Sequence, residues 1–346
     1  MKAQVIVKRL LGSRLLRWAV VVLAVGIGGY KISEEWSGVS SGFAKIGLLS
    51  AFEALLALLV AQYANLKVWQ VLLAGLGSPL RTRVAGRILL IGQLGKYIPG
   101  SVWPILTQME LGAQAKVPRP RSASASALAM LLSVAVGMII AIVTIPFGAV
   151  GSHAHHYLWV FLFLPVILAC FYPKFLNPLL NRLFKLAKRA PLDIPIAPRT
   201  IALAVTWQIM AWLFQGLQIW ILAEKFGSPI GRTLLIALGA WAFAWCIGFL
   251  AIFVPAGAGI REFLLVAALG PLIGSAPALA VALVSRAINT ISDLLCAGVA
   301  VASARRIGVI EGETGGAVEG KAESTVPAET VTPVTSVSDT GPHGYV

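Results

Sequence analysis

Apolar residues fall along this chain in long blocks, divided by short stretches rich in Lys, Arg, Gly and Pro. Blocks at 18–30, 46–74, 122–150, 157–172, 200–223 and 278–304 lack the alternation of a half-buried strand. Most approach the ~20 apolar residues that carry a helix across a bilayer, and they predict membrane spans. The first block is short and follows Lys2, Lys8, Arg9, Arg14 and Arg17, the order of a signal peptide. No small-residue cleavage site precedes Lys31, Glu34 and Glu35, so the expectation is a retained first helix that starts on the cytoplasmic side. Residues 173–199 are basic, and Phe175, Leu176, Leu179, Leu180, Leu183, Phe184 and Leu186 recur there at helical spacing. That pattern describes either an amphipathic helix on anionic lipid or a loop helix packed on the bundle. From 308 onward Gly, Ser, Thr, Pro, Val and Glu take over, which predicts a disordered, acidic cytoplasmic tail over 308–346.

Two apolar stretches break the pattern. Residues 253–265, FVPAGAGIREFLL, hold Pro255, Gly257 and Gly259 and then the charged neighbours Arg261 and Glu262. Residues 95–111, GKYIPGSVWPILTQMEL, hold Pro99 and Gly100 between Lys96 and Glu110. Proline removes a backbone donor and glycine loosens the turn, so neither stretch predicts a continuous helix. Irregular backbone and charge at membrane depth are tolerated where they face protein or a wet cavity. The first stretch lies between basic flanks (Arg81, Arg83, Arg87; Lys116, Arg119, Arg121), the second between nearly neutral ones. Each therefore predicts a hairpin that turns back to the side it came from, and the two come from opposite sides. The expected fold is an all-α polytopic membrane protein, an inverted-repeat bundle of about six full spans plus two re-entrant broken-helix hairpins. Its halves are 14–150 and 155–306 within a domain at 1–307. A plain bundle of about eight simple spans is the competing architecture.

Composition agrees. The 346 residues are 58% hydrophobic and 12% charged, half the ~25% of a soluble domain. The formal net charge of +14 raises nucleic acid as a partner. The basic residues fall in short clusters between apolar runs, as in cytoplasmic membrane loops, so no nucleic-acid partner is expected. Cys170, Cys246 and Cys296 are isolated in apolar segments and read as small buried hydrophobes. His153, His155 and His156 lack acidic company and read as a solvated loop, with no metal or other cofactor predicted. Neither a phosphate-binding GxxxxGK[ST] loop nor a nucleophile elbow occurs, so the expectation is neither an ATP-driven motor nor an enzyme.

The candidate site follows from charge that a bilayer would reject. Arg261 can bind an anionic group such as phosphate through its planar donor fork, with Glu262 orienting it; a structural ion pair is the alternative. Arg286, Asn289 and Asp293 share one face of the last span. That face either completes the site or braces the second hairpin. Lys96 and Tyr97, with Glu110 beyond the break, are further candidates, and Lys96 either contacts phosphate or snorkels to the interface. Gly257 and Gly259 either bare N–H groups to an anion or make a tight turn.

The segment YIPGSVW, the segment VPAGAGIREFLL and the final helix with Arg286 resemble the flippase-like transmembrane domain of lysylphosphatidylglycerol synthases, over about 14–306. The Pro-x-Gly-x-Gly-x-Arg-Glu pattern falls on Pro255, Gly257, Gly259, Arg261 and Glu262. The family's aminoacyl-transferase domain is not found in this chain, so lysyl transfer is not implied. The resemblance implies binding and translocation of a phospholipid or polyprenyl-phosphate-linked head group across the cytoplasmic membrane, with both termini cytoplasmic. Membrane lipids, anionic or phosphate-bearing, are the expected partners; no glycosyltransferase or lipid-synthesis partner is specified. An ion-coupled transporter of a small anion, or a membrane subunit of a lipid-linked transferase, would suit the same architecture.

Overall fold

The computed structural model describes residues 36–98, 103–148, 196–227, 229–250 and 257–322. The predicted first span, the histidine loop, the 157–172 span, Cys170 and most of the basic 173–199 connection lie outside the described residues. So do Pro99, Gly100, Pro255 and residues 323–346.

The described residues are helical, without strands. They form α1 (Trp36–Gly75), α2 (Thr82–Gly92), a 3-10 turn (Gln93–Tyr97), α3 (Trp103–Gln114), α4 (Arg119–Gly148), α5 (Pro198–Ala223), α6 (Ile230–Leu250), α7 (Ile260–Ile273) and α8 (Ser275–Ala322). Five of these stretches are long and apolar enough to cross a membrane: α1, α4, α5, α6 and the Ser275–Ser303 part of α8. The chain divides into two units, one ending at Ala302 and one beginning at Ser303. The helix of α8 runs past 308, where the sequence shifts to tail-like composition, and reaches Ala322. No proline interrupts the chain between Pro277 and Pro327 to stop it.

Several boundaries differ from the sequence reading. Arg83 and Arg87, expected in a loop, lie on the exposed face of α2. Arg81 is extended and precedes the first turn. A single residue separates α7 from α8: Gly274, whose φ of 92° turns the chain directly from one into the other. α1 starts ten positions before the predicted 46–74 span and kinks at Gly47, where φ is 67°.

Close approaches fix the helix directions. α1 and α5 are antiparallel: Gly75 abuts Thr200, Tyr63 meets Trp207 edge-on, and Lys45 sits over Phe226 just past the other end of α5. α5 and α6 are antiparallel through Gly216 against Leu238 and Gln215 against Trp241. α4 runs against α6, with Gly239 on Thr144 and Ile145 and Gly137 on Cys246. α1 and α8 run the same way, with Gly38 on Ala276, Gly42 on Ala280 and Gln62 bonded to Asp293. Small residues dominate these seams, because helices in lipid gain from close van der Waals contact rather than from hydrophobic exclusion.

Two helical hairpins complete the bundle. In the first, Gly92 abuts Gln108 and Gly95 abuts Pro104, so α2 and α3 are antiparallel and both open to the end where α1 finishes. In the second, Gly257 lies against Gly248 and α7 folds back along α6, opening to the end where α1 begins. The hairpins thus approach each other from opposite ends. At ~1.5 Å per residue, the returning legs α3 and α7 are only ~18 Å and ~21 Å long, short of a full span.

Candidate functional site

The two tips meet α8, and each is tied to it by a carboxylate. Asp293 on α8 is 4% exposed and fully engaged. Its Oδ2 accepts from Lys96 Nζ at 2.7 Å and from Tyr97 Oη at 2.6 Å; its Oδ1 accepts from Gln62 Nε2 at 2.7 Å. A carboxylate this buried would be costly without such partners. The 3-10 turn that ends the first hairpin delivers Lys96 and Tyr97 together to it. Lys96 is therefore paired rather than directed to the interface, and Asp293 braces the first hairpin.

Glu262 does the same for the second hairpin. Its Oε2 accepts the Gly259 N–H at 2.6 Å, closing the first turn of α7, and its Oε1 accepts from Arg286 Nη1 at 2.8 Å. An acid at this position also suits the positive end of the helix dipole. Gly259, with φ of 84°, supplies the turn. Asn289, one turn beyond Arg286, donates to the Ser285 carbonyl at 2.9 Å.

Arg261 is the cation left over. It makes no ion pair or hydrogen bond among the described residues, and its Nε is buried without a partner. Its guanidinium lies 5.4 Å from the centre of the Trp245 ring. Glycine makes the room: a Cβ on Gly248 would come within 2.7 Å of Arg261 Cγ, and one on Gly257 within 2.9 Å of Nε. Gly257, at φ of 67°, is thus required both by the turn and by the arginine.

A cavity of about 220 Å³ opens beside this group, walled by α1, α4, α5 and both hairpins. A second, of about 40 Å³, lies behind it against α8. Lys96, Arg261 and Asn289 border both. Around them stand three cations (Lys96, Arg261, Arg286) and two carboxylates (Glu262, Asp293), leaving one positive charge in excess. No cluster of potential metal ligands occurs among the described residues.

Of the residues anticipated from sequence, Arg261, Glu262, Arg286, Asn289, Asp293, Lys96, Tyr97 and Gly257 gather here. Glu110 does not. It sits on the exposed face of α3, 2.8 Å from Arg119 across the α3–α4 turn, and borders neither cavity. Glu53 is exposed on α1 and also borders neither. Unanticipated members are Gln208, Gln215 and Trp245. The signal for the glutamines was available, since two amides seven residues apart in one apolar span share a face.

The TM region family of lysylphosphatidylglycerol synthases matches residues 5–297, which include every residue of this cluster. The chain belongs to that family. Membership and the five apolar helices make this family member a multi-pass integral membrane protein. No curated protein shows significant similarity to the chain.

Proposed function

We propose that this member of the family binds a lipid with a phosphate-bearing head group and carries that head across the cytoplasmic membrane. The observation that carries the reading is Arg261: a half-buried cation with no ion pair or hydrogen bond among the described residues, its Nε fully buried, at the edge of a cavity that both hairpins border. A phosphate oxygen supplies the missing acceptor, and the guanidinium fork suits it. The head passes between the hairpin tips while the acyl chains stay in lipid. The paired ions on α8 hold the tips in register. Transport is downhill or coupled to an ion gradient.

Topology supports the same reading. Arg81, Arg83, Arg87, Lys116, Arg119 and Arg121 collect where the first hairpin opens, which the positive-inside rule makes the cytoplasmic face. The first hairpin is then re-entrant from the cytoplasm and the second from outside, the arrangement of an inverted repeat.

In proteoliposomes, Arg261→Ala should abolish head-group flipping of an anionic phospholipid, with Arg261→Lys retaining part of it. Undiminished flipping by Arg261→Ala removes the assigned role.

A further inference from the structure

The wall of the larger cavity has one-sided chemistry. Among the described residues it carries Lys96 and Arg261 but neither aspartate nor glutamate. Both nearby carboxylates border only the smaller cavity, and both are already engaged. The remaining polar wall is largely amide: Gln62, Asn65, Gln93, Gln108, Gln208 and Gln215. Two of these amides have their orientation set by their partners. Asp293 only accepts, so Gln62 gives it the NH₂ and keeps a free carbonyl oxygen. Trp241 only donates, so Gln215 offers it the oxygen and keeps a free NH₂.

We propose that this cavity selects a phosphate-bearing lipid whose head is otherwise uncharged and hydroxylated, such as a phosphoglycerol, an inositol or a sugar, and disfavours heads that carry an ammonium group. The proposal rests on the translocation reading above and names its substrate class. A hydroxyl both donates and accepts, so it answers the free oxygen of Gln62 and the free NH₂ of Gln215. An ammonium only donates, and here it meets the unpaired Arg261 and a Lys96 already matched to Asp293, with no carboxylate facing it among the described residues. With no carboxylate on the described wall to offset it, that repulsion is uncompensated. An aromatic cage would be the other way to hold a quaternary ammonium. Trp245, the ring best placed for one, is taken: Arg261 lies over it and Phe249 stacks on it at 5.4 Å and 4°.

The test reconstitutes the full chain in proteoliposomes with acyl-labelled phosphatidylglycerol, phosphatidylinositol, phosphatidylethanolamine and lysylphosphatidylglycerol, and compares their flipping rates. The hydroxylated pair should cross at least about tenfold faster than the amine-bearing pair. Amine-bearing lipids crossing equally fast or faster would overturn the selection while leaving translocation intact. Failure of all four to cross would overturn translocation, and the selection with it. Gln215→Glu and Gln208→Glu each place a carboxylate in the wall. Each should shift the amine-to-hydroxyl rate ratio about tenfold toward the amine heads. The ratio is taken within one preparation, so a smaller folded fraction cancels. An unchanged ratio in both variants would also overturn the proposal.

Discussion

Asp293 and Lys96 test how a buried ion pair behaves at a hairpin tip. Asp293→Asn keeps the shape and, through its one amide oxygen, the bond from Gln62, but leaves Lys96 without its counter-charge. Breaking a fully buried pair from one side is strongly destabilising; with Lys96 35% exposed, a loss of about 1–3 kcal/mol is expected. Adding Lys96→Met to the same chain should restore most of it, because the stranded charge goes with the partner. Denaturant unfolding in detergent reads both; a double variant no more stable than the single would show that the two do not act as a pair. Charge was the part of this site most legible in the sequence, because Arg261, Glu262, Arg286 and Asp293 stand out from apolar runs. Glu110 looked equivalent and is not: sequence gives the residue but not the face of a short helix, and its cation lies nine positions on, across a turn. Gln208 and Gln215 passed unnoticed because an amide in a span is a weaker anomaly than a charge.

Small residues decide how closely these elements approach. Gly38 and Gly42, one turn apart before the Gly47 kink, face Ala276 and Ala280 at the start of α8, and a Cβ on either glycine would stand 2.7 Å from the opposing methyl. Gly42→Leu should therefore overpack the seam and lower stability by about 1–3 kcal/mol. Gly298→Ala on α8, where a new Cβ meets nothing within 4 Å, should stay within about 0.5 kcal/mol of the parent or gain slightly from helix propensity. Thermal unfolding of the two variants side by side checks the contrast; equal effects would show that the seam is not tight. This seam was not legible beforehand. The sequence reading began the span at 46 because Ser37, Ser40, Ser41 and Lys45 dilute the hydropathy just where small residues are needed for contact. The spans at 46–74, 122–150, 200–223 and 278–304, which fall almost wholly within the described residues, were legible because bilayer length acts locally, whereas partner choice between helices is a long-range outcome.

Across the whole molecule the consequential feature is direction. Two helix pairs fold back on themselves, the first opening to the end where α1 finishes and the second to the end where α1 begins, as the contacts of Gly92 with Gln108 and of Gly257 with Gly248 show for their legs. Loop charge had suggested the same opposition without knowing any contact, because the cost of translocating Lys and Arg is felt at the level of loops. If the bundle sits in a membrane as proposed, the outer ends of the two hairpins must face different compartments. In a chain with Cys170, Cys246 and Cys296 replaced by Ala, Arg81→Cys marks the open end of the first hairpin and Ile230→Cys that of the second; both positions are exposed. A membrane-impermeant maleimide applied to right-side-out cells should label Ile230→Cys and spare Arg81→Cys, and inside-out vesicles should reverse the result. Labelling of both from one side would mean that at least one hairpin crosses the membrane completely. The cations at its tip would then no longer stand opposite those of its counterpart around a shared cavity, and a single site reached in turn from each face would lose its structural basis.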